Sequence, residues 1–204
     1  YLIMPQMPFR RVRSLLARRR IRTERRQHFF RDILKGVEQL EDRSLLASIV
    51  WDGGAGTFNW NDADNWEPNS VPTAADDVTI GDFNPDIVVD VVVSGAPAFA
   101  RTLVSDERIQ ITGALSLGVS GTLNSGFDLA GGTLTINGPV TVSGASTWSG
   151  GTVNGSGSLA NAGTLSLTGA SDKSLGPATL TNTSSILVPG NGFLRLTDGT
   201  YIIN

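Results

Sequence analysis

"TLTINGPVTVSGASTWSGGTVNGSGSLANAGTLSLTG", residues 133–169, falls at its Gly, Asn and Ser residues into pieces of about six residues: TLTING, PVTVSG, ASTWSG, GTVNGSG, SLANAG and TLSLTG. Within a piece the apolar residues stand two apart, as in Leu134/Ile136, Val140/Val142 and Leu165/Leu167. That is the period of a strand with one face turned inward, and the Gly/Asn/Ser residues between pieces are corner formers. Three strands and three corners make one coil of roughly 18–22 residues of a parallel β-helix, and roughly six such coils fit between Asp77 and Asn204.

Outward from this stretch the repeat is degenerate. GTL or GTV recurs at Gly121, Gly132, Gly151 and Gly163, at intervals of 11, 19 and 12 residues. A β-sandwich also uses short strands, with turn signals every ~8–12 residues. The pieces here are shorter and more alike, and charge is too scarce for the solvated faces of a sandwich. After Ile109 the charged residues are Asp128, Asp172, Lys173, Arg195 and Asp198. The expected fold is therefore all-β, a right-handed parallel β-helix over 77–204 with the β-sandwich as the alternative; the handedness follows from the rule for parallel crossovers. Short Thr, Ser and Asn side chains on its outside can form ladders from coil to coil.

Residues 48–76 carry Trp51, Trp60 and Trp66, three of the four tryptophans, among Asn, Asp, Gly and Pro. Those neighbours are turn formers, through positive φ for Gly and through side-chain bonds to nearby amides for Asn and Asp. A compact cap is expected here, because the first coil of a stacked sheet exposes unpaired amides and an open apolar end. The competing reading makes Trp51, Trp60 and Trp66 a sugar-stacking platform. Asp62, Asp64, Asp76 and Asp77 could supply oxygen ligands to Ca²⁺, with Asp76 and Asp77 the weak candidates. Their spacing fits no EF-hand, so turn-capping carboxylates are favoured over a metal site.

The first 47 residues differ in charge from everything after them. They hold 12 of the 16 Lys and Arg and 5 of the 19 Asp and Glu, a net +7, against −10 for the rest, which holds 4 and 14. Phe30, Ile33, Leu34, Val37 and Leu40 lie on one face of a helix expected over about 28–43. Gly36 inside that pattern weakens it by about 1 kcal/mol relative to Ala. A nucleic-acid arm is disfavoured, since no recognition motif follows and the attached domain is acidic. A membrane-surface helix and an export leader remain open, the latter with small residues at Ala47 and Ser48 as a processing or hinge point. Met4 and Met7 are the available starts, Met7 giving the cationic opening MPFRRVRSLLARRR, and DGTYIIN at the other end stops in a strand pattern. Both details are those expected of a piece of a longer product.

"VEQLEDRSLLA", Val37 to Ala47, resembles the N-terminal LEPR-XLL motif of large secreted bacterial β-strand-repeat proteins, autotransporter-like and adhesin-like. Leu40, Glu41, Arg43, Leu45 and Leu46 match, and Asp42 stands in place of the motif's Pro. The resemblance implies an extracellular or cell-surface bacterial protein whose residues 1–47 engage export or sorting machinery. Trp60, Asn65, Trp66, Val71, Pro72, Asp77, Val78 and Ile80 resemble the segment that opens the β-helical region of such proteins. That second resemblance implies an N-terminal solenoid cap.

Catalysis is not expected. A glycosidase needs two carboxylates across one groove at ~5–10 Å, and a lyase needs a base with a cation. Asp128 stands alone, Asp172-Lys173 sits in a corner, Arg195-Asp198 lies near the end, and His28, the one histidine, belongs to the basic arm. With no cysteine, no disulfide framework or thiolate metal site can form. No apolar run reaches the ~18–20 residues that span a bilayer, and no cofactor is expected. The function expected from all this is a structural or adhesive stalk, with carbohydrate binding or processing as the alternative. Surface glycans or extracellular matrix are its expected partners, and nucleic acid is not.

Overall fold

The computed structural model describes residues 48–82, 90–197 and 199–204. The basic arm, with its expected helix over 28–43, His28 and Ala47, lies outside the described residues, as does Asp198. The described residues all belong to one compact unit.

Among the described residues seventeen strands join in one sheet, and the single helical piece is the short 3-10 turn Ala63–Asn65. Alternation sets the inside of each strand. In Pro139–Val142, for example, Val140 and Val142 are buried while Pro139 and Thr141 are exposed. Strands pair in parallel with the strand one coil later, which excludes the β-sandwich and makes the chain a β-solenoid of about six coils from Asp77 to Tyr201.

The coils have three faces. On the first, one inward column runs Ile49, Val78, Leu103, Gly121, Val140, Leu159, Leu180 and Ile202, each in register with the next. On the second, Val93, Ile111, Leu129, Trp148 and Leu167 stack in the same way. On the third, Ala98, Leu115, Leu134, Val153, Leu175 and Leu196 do so. These columns meet in one apolar core that runs the length of the solenoid. On the first face the register offset drops from 25 residues at Val78–Leu103 to 18 at Leu103–Gly121, then widens to 19 at Val140–Leu159, 21 at Leu159–Leu180 and 22 at Leu180–Ile202.

Strand Ser48–Trp51 already pairs in parallel with Asp77–Ile80, Ser48 opposite Asp77. The expected boundary between a cap at 48–76 and coils from 77 is therefore refined: the cap segment supplies the first rung of the first face.

Charged side chains tie neighbouring coils together. Arg101 Nη2 donates to Asp77 Oδ2 at 2.5 Å, Arg108 forks onto Asp90 at 2.6 and 2.9 Å, and Arg195 Nη2 donates to Asp172 at 2.6 Å. Hydrogen bonds from Arg101 and from Thr102 Oγ1 hold the Asp77 carboxyl below its ordinary value of 3.8. A carboxyl whose folded pKa is depressed contributes stability above its unfolded value and loses it as pH falls through the lower, folded one. Urea unfolding of Asp77→Asn should therefore show the wild type more stable at neutral pH, by less than about 1 kcal/mol for a pair this exposed. The difference should close below about pH 4; a gap that persists at pH 2 would rule the ion pair out as its cause.

Candidate functional site: the Trp-rich cap

Turn chemistry places the three tryptophans. After Ser48–Trp51 the chain turns at Gly53 (φ +66°) and Gly56 (φ +68°), and returns through Ala63–Asn65 to Trp66–Glu67. That return strand pairs antiparallel with the first, Val50 opposite Glu67 and Trp51 opposite Trp66. A parallel solenoid edge is thus closed by a hairpin-like partner that does not propagate the parallel stack.

Asn65 organises the turn from within. It is fully buried, and its Nδ2 donates to Thr57 Oγ1 at 2.9 Å and to Asn59 O at 3.1 Å, while its Oδ1 accepts from Ala55 N at 3.2 Å. The segment before it reaches the second face, where Trp60 N donates to Val92 O at 2.9 Å and Val92 N to Phe58 O at 2.7 Å. Asn61 Nδ2 donates to the corner carbonyls of Ser94 and Ala96 at 3.1 and 2.9 Å. The edges of the first and second faces and the corner that leads to the third all receive partners from residues 51–67.

Inside this cover the rings close the lumen. Trp66 packs edge-on against Trp51 and Trp60, with ring centroids 4.8 Å apart in both cases, and its Nε1 donates to Trp60 O at 2.7 Å. Trp51 is 4% exposed, and Trp60 and Trp66 are 0% exposed. The sugar-platform reading of Trp51, Trp60 and Trp66 is corrected by that burial, since stacking on a sugar needs a ring face open to solvent. The cap geometry fits the rings instead.

The candidate carboxylates are likewise engaged. Asp76 Oδ2 accepts from Thr73 N at 2.8 Å and Thr73 Oγ1 at 2.7 Å, which closes the turn 73–76. Asp77 faces Arg101, whose guanidinium supplies the charge that Ca²⁺ would bring, and Asp62 Oδ2 accepts from Thr57 Oγ1 at 3.0 Å. The weak Ca²⁺ reading of Asp76 and Asp77 gives way to turn capping and ion pairing; among the described residues no three His, Cys, Asp or Glu cluster to hold a metal ion. Ser48, the described half of the Ala47–Ser48 processing candidate, is the first residue of the first rung.

Farther along, the residues weighed for catalysis serve the stack. Asp128 lies on the second face between Gln110 and Thr147; the hydrogen bond to Asp90 raises the pKa of Arg108, and the charge of Asp128 adds the smallest part. Asp172 is exposed and accepts from Arg195 and from Phe193 N, which depresses its pKa. Lys173, expected in a corner, instead begins strand Lys173–Leu175 with its side chain 1% exposed and Nζ donating to Ser171 O at 2.9 Å. Its register partner in the coil before is Gly151.

Sequence patterning missed a polar column on the first face. Asn161 Nδ2 donates to Asn182 Oδ1 at 2.7 Å, and Asn182 Nδ2 to Asn204 Oδ1 at 2.5 Å. The signal was present as Asn at matching ends of SLAN and TLTN, 21 residues apart. Among the described residues no helix is long and apolar enough to cross a membrane. No protein family, no curated protein and no solved structure matches the chain.

Proposed function

We propose that the chain is a non-enzymatic structural and adhesive segment of an exported bacterial repeat protein, placed at the cell surface or outside the cell. Residues 1–47 act as its sorting leader, and the solenoid acts as a stiff stalk that presents other modules. The observation that carries this reading is the use of the solenoid's charges. Asp77–Arg101, Asp90–Arg108 and Asp172–Arg195 each link one coil to the next instead of facing a common groove. Polar groups so placed resist bending and sliding between coils, and six coils spaced at ~4.8 Å give a rod of roughly 30 Å. The leader reading rests on the +7 charge of residues 1–47 and on the LEPR-XLL resemblance at Leu40–Leu46.

Export tests the reading directly. In a bacterial host, the whole chain should reach the surface or medium with its new N-terminus near Ser48. Leu45→Asp/Leu46→Asp should retain most of it in the cell at unchanged expression. Undiminished export of that variant would defeat the leader role, and release of reducing ends from a polysaccharide panel by the whole chain would defeat the non-enzymatic one.

A further inference from the structure

The outward side chains of the first face form two columns in the same register as the inward one. One runs Thr79, Val104, Thr122, Thr141, Ala160 and Thr181, one residue per coil. Two residues earlier in each strand stand Thr102, Ser120, Pro139, Ser158 and Thr179. The pairings from Thr102 to Thr181 contain no register shift, so the array repeats at ~4.8 Å from coil to coil and ~6.6 Å along each strand. Charge is kept off it. Between Ala114 and Ala170 the one charged residue is Asp128, on the second face. Hydroxyls at the corners bond within the protein: Thr112 Oγ1 donates to Val93 O, Ser125 Oγ to Asp106 O and Thr183 Oγ1 to Asn161 O. Those of Thr122, Thr141, Thr179 and Thr181 bond to no described residue, which turns them to solvent.

We propose that the first face is an ice-binding surface, whose hydroxyls and methyls hold a layer of water in the positions of an ice lattice. Three observations choose that occupant. First, the array is periodic in two directions, and the prism plane of hexagonal ice repeats at nearly the first of its spacings and slightly above the second. Thr is stiff at χ1, so each hydroxyl and methyl keeps a fixed place in the grid. Second, the face is neutral, as ice is, and carries no ion to orient water around itself in a competing pattern. Third, its hydroxyls are without protein partners, and lattice water supplies a donor or acceptor to each. A polysaccharide fits less well, because the two columns hold no aromatic ring for a sugar to stack on and no amide to read its hydroxyls. A second copy of the chain fits less well too, since it would desolvate those hydroxyls against Val, Ala and Pro. The third face also carries Thr133, Thr135 and Thr152, but Phe99 and Arg195 stand in its columns and break the neutral grid. The inference goes beyond the stalk reading and does not depend on where the protein is sent.

The whole 204-residue chain is the material for the test. Ice grown slowly from its dilute solution should take the protein up, while serum albumin in the same solution is left in the liquid. Ice grains annealed just below melting should also coarsen more slowly in its presence. Thr122→Tyr/Thr141→Tyr places two bulky rings in the middle of the grid, at outward positions of strands that accept Tyr readily. That variant should lose uptake into ice down to the level of albumin while keeping the circular dichroism of the wild type. Thr147→Tyr, beside Asp128 on the second face, should be taken up like the wild type. Exclusion of the wild type from ice overturns the proposal, and retention on crystalline cellulose or chitin in its place would give the face to a polysaccharide. Uptake that survives Thr122→Tyr/Thr141→Tyr, or that is lost equally in Thr147→Tyr, overturns the placement on the first face.

Discussion

Trp66→Ala is expected to lower the unfolding free energy by about 3–5 kcal/mol, the range for truncating a large buried aromatic. The ring is fully buried and is the only one that touches both other cap tryptophans, each at 4.8 Å. Its loss opens a void at the mouth of the lumen and leaves Trp60 O without the Nε1 donor it now has at 2.7 Å. Trp66→Phe keeps most of the packing and loses that hydrogen bond, so it should cost only about 1–2 kcal/mol. In a solenoid each coil contacts its neighbours alone, so the damage should be local. Hydrogen exchange should accelerate at Ile49–Trp51 and at Val92, whose amide is bonded to Phe58 O, while the amides of Ser158–Asn161 keep their protection. Trp148, remote from the cap, complicates fluorescence, and Trp148→Phe removes it so that the signal reports the cap alone. An unfolding free energy within about 1 kcal/mol of wild type would mean that the three rings do not close the lumen as a unit.

Why the architecture could be read from residues is clear at Leu134/Ile136 and Val140/Val142. A period-two pair of aliphatics between Gly/Asn corners has one way to bury itself, and all four are at most 1% exposed. Polar residues inside the coils were not legible in that way. Asn161 and Asn182 are buried only because each finds its partner 21 or 22 residues away, and no local pattern announces a partner that distant. Lys173, a charged residue beside Asp172, is buried with its Nζ on Ser171 O, against what its residue type announces. At the cap, Asn, Asp and Gly signalled turns correctly. What a sequence leaves open is the side of the turn to which its aromatics point. A platform and a plug have the same composition, and the burial of all three rings decides for the plug.

The same distinction between pattern and stacking makes Gly138→Ala the more severe of two superficially equal glycine substitutions. Gly138 ends the piece TLTING at the corner leading into Pro139–Val142, and a Cβ there would lie 1.7 Å from Val119 O of the coil before. The Cα–Cβ bond would point along the solenoid axis, where the spacing of about 4.8 Å between coils leaves no room for a carbon atom. Nothing flexible can yield, because the obstructing atom is backbone. The column continues at Gly157, whose Cβ would meet Gly138 O at 2.2 Å, so a shift that relieves one contact tightens the next. The cost should reach about 3 kcal/mol or more, at or above the top of the usual overpacking range. The hydrogen bonds from Gly157 N to Ile136 O and from Ser158 N to Gly138 O should weaken with it. Gly81→Ala is the control: among the described residues no atom lies within 4 Å of its Cβ position, and its φ is not positive. It should be neutral or stabilise by up to about 1 kcal/mol through the unfolded chain. Chemical unfolding of both variants tests the point, and a Gly138→Ala as stable as Gly81→Ala would mean that the corners do not set the coil spacing. If the difference appears, the repeated Gly in TLTING, GTVNGSG and SLANAG acts as the spacer of the stack. The alternating aliphatics then select a strand, while the corner glycines let one coil lie directly on another.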